Sequence, residues 1–166
     1  MLHPLVQKYR HKGILVDANL LVVLLVGKLG SAHLKNCRAT KSKGFTPEDF
    51  SLLEQGVAKF DTLVTTPHIL TEVSNLAGGL PEPLLGEFRA KFREEVVERF
   101  SEQTRAAKEI AQDGHFLRFG LTDTAISMIA PGRYLVLSDD LPLCGVLRQR
   151  KVDVINFNHV RFLAWT

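Results

Sequence analysis

GILVDANLL, residues 13–21, places an acid directly after a short aliphatic run. Three aliphatic residues that follow a glycine are typical of a strand buried on both faces of a parallel sheet. Residues 18–29 then carry leucines at helical spacing, and Gly30 stands where that helix would end. The stretch therefore predicts a strand over residues 13–17 that leads straight into a helix, with Asp17 at the junction.

The same strand-to-helix pattern returns twice along the chain, and a last strand follows. We predict strands over residues 62–65, 134–138 and 152–155, helices over residues 46–60, 67–77, 122–130 and 141–150, and one or two amphipathic helices over residues 84–111. Thr122 is expected to cap its helix, which would put Asp123 in the first turn. Strands that alternate with helices predict an α/β fold with a central parallel sheet.

Length and cysteine content narrow the class of protein. A chain of 166 residues suits a single domain over residues 1–166. Cys37 and Cys144 stand far apart, which argues against a disulfide framework or a zinc knuckle and favours a reducing compartment. The polar N-terminus does not read as a signal peptide, and the apolar run 20–26 is too short to cross a bilayer. We therefore expect a cytoplasmic protein without membrane association.

Four acids follow or flank the predicted strands, namely Asp17, Glu72, Asp123 and Asp140. Ligands of open α/β sheets bind outside the carboxyl ends of the strands, so these side chains are expected to share one mouth of the sheet. Carboxylates packed together repel one another, and a divalent cation removes that conflict. Oxygen ligands suit Mg²⁺ or Mn²⁺, which can activate water and neutralise charge on a phosphodiester.

Four motifs in order resemble the PIN domain, a family of metal-dependent nucleases that includes the toxins of many toxin–antitoxin pairs. They are DANLL (17–21), TPHILTEVSNL (66–76), LTDTAI (121–126) and LSDDL (137–141). The resemblance covers residues 13–157 and implies a three-layer α/β/α domain with a central parallel sheet. The basic segment 30–46 and the predicted helical elaboration 81–115 are longer than in the compact toxins, so a non-toxin member is an alternative.

The resemblance also implies a site. It assigns catalysis and metal binding to Asp17, Glu72, Asp123 and Asp140, adds Asp139 as a fifth metal ligand, and places Asn19 and Ser138 just outside the ligands. Asp140 is preferred to Asp139 because the motif usually has Ser or Thr, a spacer and then Asp. Glu72 would ligate the metal or help to activate water. The implied products carry 5′-phosphate and 3′-hydroxyl ends.

A second set of residues is basic. Between Lys28 and Thr46 the chain has no acid, and we call residues 30–46 the basic arm. The predicted RNA contacts are Lys28, Lys35, Arg38, Lys41 and Lys43. Such a segment would contact phosphates and stay flexible until it meets RNA; a solvated loop without a role is the alternative.

The function predicted is a Mg²⁺- or Mn²⁺-dependent endoribonuclease, with RNA as substrate, a homodimer as its state and an antitoxin as a partner if it is a toxin. One alternative is a catalytically silent PIN-like module that binds RNA or scaffolds a complex. A response-regulator receiver is disfavoured because Asn156, and no lysine, follows the last strand. A haloacid-dehalogenase phosphatase is disfavoured because Asn19 stands where its second aspartate belongs.

Overall fold

The structure, a computed structural model, describes residues 3–165 of the chain. Its strands are β1 (Ile14–Val16), β2 (Leu63–Thr65), β3 (Phe100–Glu102), β4 (Leu135–Ser138) and β5 (Val154–Asn156). Its α-helices are α1 (Pro4–Tyr9), α2 (Ala18–Leu29), α3 (Arg38–Ser42), α4 (Pro47–Val57), α5 (Pro67–Ala77), α6 (Leu84–Glu98), α7 (Ala107–Ala111), α8 (Phe116–Ile129), α9 (Leu141–Gln149) and α10 (Phe157–Trp165). A 3-10 helix, Ser31–Asn36, precedes α3.

The five strands form one parallel sheet in the order β3-β2-β1-β4-β5. Helix α2 packs with α4, α5 and α6, whereas α8 packs with α7 and α9, so helices flank the sheet in a three-layer α/β/α arrangement. The predicted fold class is confirmed. Strand β1 is central and wholly buried, as its aliphatic sequence predicts for a strand covered on both faces.

Local sequence explains how α4 and α2 begin and end. Thr46 and Asp49 exchange side-chain and backbone hydrogen bonds in a capping box at the start of α4. Helix α2 is buried on nearly all sides and ends at Gly30, whose φ of +144° lies in the region that favours glycine. Gly27 lets α2 approach α4, since a Cβ there would lie 2.1 Å from the Phe50 ring.

Two predicted helices differ from those observed. The segment predicted as helical over 84–111 contains α6 and α7 but also β3, which pairs with β2 as the edge strand of the sheet. The helix predicted over 122–130 is the second of two helical segments that make up α8, and the two are separated at Gly120, where the backbone is not helical and φ is +75°. The predicted cap at Thr122 is therefore wrong, although Asp123 does lie in the first turn after Gly120.

The basic arm is folded, not flexible as expected. It contains the 3-10 helix and α3, and the buried hydroxyl of Thr40 donates to the carbonyl oxygens of Leu34 and Cys37. Phe45 is buried at the end of the arm and packs near Phe157. The segment thus carries its charges on a defined backbone. Within residues 3–165, no helix combines the length and apolar character that a membrane crossing needs.

Candidate active site

The candidate site lies where the order of the strands changes direction. The chain proceeds from β1 outward through β2 to β3, and then returns to place β4 on the other side of β1. Asp17 follows β1 directly, and Asp139 and Asp140 follow β4. A crevice forms outside the carboxyl ends of strands at such a switch point, which is the usual ligand position in open parallel sheets.

A small polar cleft of about 130 Å³ opens at this point. The residues that line it are Asp17, Ala18, Asn19, Glu72, Phe119, Thr122, Asp123, Asp140 and Leu143. All four acids of the predicted site are therefore brought together from β1, α5, α8 and the β4–α9 junction. Since none of the other lining residues is basic, the cleft gathers four carboxyl groups without a cation of its own.

Asp17 is held by three hydrogen bonds. The Leu20 amide donates to Oδ1 over 3.2 Å, so the carboxylate caps α2, and the Asp139 amide donates to Oδ2 over 3.2 Å. The Ser138 hydroxyl also donates to Oδ2. Burial, together with the charge of Asp139, raises the pKa of Asp17 despite these hydrogen bonds. The carboxylate is thus fixed in position and disfavoured as an isolated charge.

Asp140 is also a helix cap. Its Oδ1 accepts from the Leu143 amide over 2.9 Å at the start of α9, and its own amide donates to the Ser138 hydroxyl oxygen over 3.0 Å. Ser138 therefore contacts the carboxylate of Asp17 and the backbone amide of Asp140.

Glu72 and Asp123 reach the cleft from two helices. The Thr122 hydroxyl donates to Glu72 Oε1 over 2.5 Å, which joins α5 to α8. Burial, and then the charges of Asp140 and Glu72, raise the pKa of Asp123 to about 7. The carboxylates of the cleft thus disfavour one another's ionisation, and a bound cation would relieve the repulsion.

Asp139 points elsewhere and does not line the cleft. Its Oδ2 lies 2.6 Å from the Lys43 Nζ in a salt bridge in which the aspartate side chain is 4% exposed. Its Oδ1 accepts from the Asn19 Nδ2 over 3.3 Å. Both carboxylate oxygens are engaged, so Asp139 connects the basic arm to the site, and its predicted place among the metal ligands is not supported by its contacts.

The predicted RNA contacts fall into two groups. Lys28 is an internal residue: its side chain is 17% exposed and its Nζ lies 3.0 Å from Glu95, which is 1% exposed. The prediction for Lys28 is therefore at odds with its packing. Lys35, Arg38 and Lys41 are exposed and share a shallow surface depression with Asn36 and Ser42. These three cations remain available to a ligand.

The cleft suits a hard divalent cation in its donor type and its charge. Mg²⁺ and Mn²⁺ prefer carboxylate oxygen, and four carboxyl groups without a lysine or arginine among them require a counter-charge. Across residues 3–165, however, no three acids, histidines or cysteines are already grouped closely enough to hold a metal ion. The four carboxyl groups are thus of the ligand type that Mg²⁺ and Mn²⁺ prefer, and coordination would require these side chains to move closer to one another.

Sequence reasoning missed four residues that line the cleft, namely Ala18, Phe119, Thr122 and Leu143. Phe119 lines the cleft beside the acids, and Thr122, which the sequence predicts to be a helix cap, instead donates a hydrogen bond to Glu72. The signal that the sequence offers for Phe119 is the glycine that follows it, since glycine disfavours a helix interior and Gly120 interrupts α8. Nothing local marks Thr122, since its partner lies 50 residues away.

Compared with protein-family models, with curated proteins and with solved structures, the chain gives no significant match. The likeness to the PIN domain therefore stays a prediction carried by the four motifs.

Proposed function

We propose that the protein is a Mg²⁺- or Mn²⁺-dependent endoribonuclease of PIN type that hydrolyses RNA phosphodiester bonds. One observation carries the proposal: Asp17, Glu72, Asp123 and Asp140 line a single cleft at the switch point of a parallel sheet. Four carboxylates in one cleft repel one another unless a cation balances their charge. Such a set of acids is typical of a site for metal-dependent hydrolysis.

Each acid has its own part in the proposed site. Asp123 and Asp140 would hold the cation, and Asp17 would join them from the end of the buried strand β1. Glu72, positioned by the Thr122 hydroxyl, would ligate the cation or accept a proton from the attacking water. When bound, the cation would lower the pKa of water and neutralise charge on the phosphodiester. Ser138 keeps Asp17 and Asp140 in fixed relation.

Two rival enzymes fit the structure poorly. A receiver domain has the strand order 2-1-3-4-5 of flavodoxin-like sheets, whereas this sheet runs β3-β2-β1-β4-β5. A haloacid-dehalogenase phosphatase needs an acid at position 19, where Asn19 instead donates to Asp139. Both rivals also leave Glu72 and Asp123 without a role.

A silent RNA-binding or scaffolding module is the second candidate, favoured by one observation. Asp17 and Asp140 each cap a helix, a structural role that would keep both acids without catalysis, and the carboxylates are not grouped for coordination within the described chain. This candidate accounts for two acids but leaves Glu72 and Asp123, which cap no helix, unexplained. An antitoxin and a homodimer stay predictions of the resemblance, because no contact in the structure bears on them.

A cleavage assay with a matched pair of variants tests the proposal. Wild type, Glu72→Gln and Glu98→Gln would be incubated with a structured RNA pool in Mg²⁺, Mn²⁺ or EDTA. Both glutamates lie on helices, but Glu98 is exposed at the end of α6. We expect cleavage by wild type and Glu98→Gln only with metal, and a loss of at least about 100-fold for Glu72→Gln.

Calorimetric titration with Mn²⁺ separates the two candidates. If folded wild type neither cuts RNA nor binds Mn²⁺, the hydrolase proposal fails and the silent module takes its place. Equal activity of Glu72→Gln and Glu98→Gln would remove Glu72 from the site.

A further inference from the structure

The exposed cations of the basic arm have no use within the fold. Lys35, Arg38 and Lys41 line one shallow depression with Asn36 and Ser42. Across the part of the chain that the structure describes, no carboxylate forms an ion pair with any of the three. Other cations of residues 3–165, such as Lys59 and Arg89, also lack an ion pair, so these three are distinguished by lining one depression together. Three unpaired cations around one depression favour an anionic partner.

The arm is fixed to the cleft by one contact. Lys43 ends the arm's run of cations and pairs with Asp139, whose backbone amide donates to Asp17. Only one residue therefore separates the arm from a carboxylate of the cleft. The Lys43 side chain is still 40% exposed, and an ammonium group has three N–H donors, so it can face a ligand while it holds Asp139.

The arm is also rigid enough to present its charges in a fixed pattern. Arg161 donates to the Gly44 carbonyl oxygen and forms a salt bridge of 2.8 Å with the buried Asp49, so the end of the arm is tied to α4 and α10. Together with the hydroxyl contacts of Thr40, these bonds hold both ends of α3. The arm is thus already ordered before a ligand binds, so that binding loses less conformational entropy.

We propose that the basic arm binds consecutive phosphates of a single-stranded RNA and leads that strand into the acidic cleft. The inference rests on the proposed function for the identity of the ligand. A cleft of about 130 Å³ has room for about four waters, so it takes no more than one phosphodiester of the strand at a time. Lys35, Arg38 and Lys41 hold the strand, and the Lys43–Asp139 ion pair sets where it enters.

Binding in EDTA tests the arm without cleavage. The variant Lys35→Gln/Arg38→Gln/Lys41→Gln would be compared with Lys59→Gln/Arg89→Gln/Lys108→Gln, which removes the same charges from exposed positions outside the arm. The probe is a labelled single-stranded RNA of about 20 nucleotides, longer than one site, followed by fluorescence anisotropy over a salt series. Thermal melts establish that both variants are folded.

The arm variant should bind more than about tenfold more weakly than wild type at low salt. Its slope of log K against log salt should fall by about 2, because each phosphate contact on a single strand contributes about 0.7. The control variant should keep most of the affinity and slope. Equal losses in both variants, no binding by wild type, or binding of only the DNA of the same sequence would each overturn the proposal.

A separate measurement tests the ion pair between Lys43 and Asp139. Lys43→Gln should raise amide hydrogen exchange over residues 38–44 without RNA, whereas Lys41→Gln, whose side chain makes no such ion pair, should leave it unchanged. Unchanged exchange in Lys43→Gln would remove the ion pair from the proposal. Arm-dependent binding without cleavage in Mg²⁺ would refute the hydrolase alone, and cleavage without arm dependence would refute the arm alone.

Discussion

The hydroxyl of Ser138 donates a hydrogen bond to the carboxylate of Asp17 across 121 residues of sequence. The same oxygen accepts from the Asp140 amide, so one small side chain, at the end of β4, sets the spacing between the two acids that follow the central strands. Because Asp17 is buried and repelled by Asp139, this hydrogen bond is one of the few favourable contacts of its charged form.

Replacing this hydroxyl should affect both stability and the site. Ser138→Ala leaves the buried Asp17 with one donor fewer, and we expect it to lower the free energy of unfolding by about 1–2 kcal/mol. Mn²⁺ affinity should fall as well, since the ligands lose their mutual positioning. Urea denaturation and calorimetry measure the two effects. Ser127→Ala is the control, because that buried hydroxyl contacts only a helix carbonyl oxygen; equal effects on Mn²⁺ affinity would contradict the role of Ser138.

Removing one acid should stabilise the metal-free protein. The pKa of Asp123 is about 7 in the folded chain, raised by burial and by Asp140 and Glu72, against about 3.9 when unfolded. Ionisation of Asp123 therefore lowers stability as the pH rises from about 4 to about 7, and the loss is complete above that range. One pKa unit corresponds to about 1.4 kcal/mol. If Asp123→Asn relieves half of the pKa shift, its free energy of unfolding should exceed that of wild type by about 2 kcal/mol.

Thermal melts in EDTA check this prediction. Asp123→Asn should melt above wild type at pH 8, and the difference should vanish near pH 4. Added Mg²⁺ should raise the melting temperature of wild type more than that of the variant, because a ligand stabilises only the state that binds it. A variant less stable than wild type at pH 8 would show that Asp123 is not repelled by its neighbours.

Four of the five strands could be predicted from sequence, and β3, at one edge of the sheet, could not. Strands β1 and β4 are aliphatic and covered on both faces, so their composition alone marks them. Strand β3 is Phe-Ser-Glu, half-exposed at the edge of the sheet, and follows a long amphipathic helix. It is a strand because it pairs with β2, and that long-range contact leaves no local pattern.

The four acids could likewise be predicted, because each follows or flanks a marked element. Their partners could not. The contacts of Asp139 with Lys43 and of Lys28 with Glu95 join segments 96 and 67 residues apart, so sequence shows the charges but not which are used internally. The same limit applies to the basic arm, which the sequence predicts to be flexible and which is folded in the structure. The Thr40 hydroxyl is buried and bonded to backbone carbonyl oxygens, and Phe45 is buried near the distant Phe157.

Replacing Gly27, a glycine in the buried helix α2, should destabilise the fold. A Cβ at Gly27 would lie 2.1 Å from the Phe50 ring, so Gly27→Ala forces α2 and α4 apart and should cost about 1–3 kcal/mol. In α9, a Cβ at Gly145 meets nothing within 4 Å, and Gly145→Ala should add about 0.5–1 kcal/mol through helix propensity. Urea denaturation should give opposite signs; a stabilising Gly27→Ala would contradict the close packing.

Substitution of Lys28 should lower stability and substitution of Lys35 should weaken RNA binding, although the sequence predicts that both residues contact RNA. Glu95 is buried, yet its hydrogen bond from Lys28 and the charges of Lys28, Arg99 and Lys91 hold its pKa below the ordinary value. Lys28→Gln removes the closest of these cations, so it should lower the free energy of unfolding by about 1–2 kcal/mol and leave RNA binding unchanged. The loss stays moderate because Arg99 and Lys91 still face the carboxylate.

Lys35→Gln is the matched variant, at an exposed position without an ion pair in the described chain. It should change stability by less than about 0.5 kcal/mol and weaken RNA binding in EDTA about threefold, as one phosphate contact of three. Urea denaturation and anisotropy on the same two proteins give both quantities. Weaker RNA binding by Lys28→Gln at unchanged stability would place Lys28 on the surface that meets RNA and would contradict its burial against Glu95.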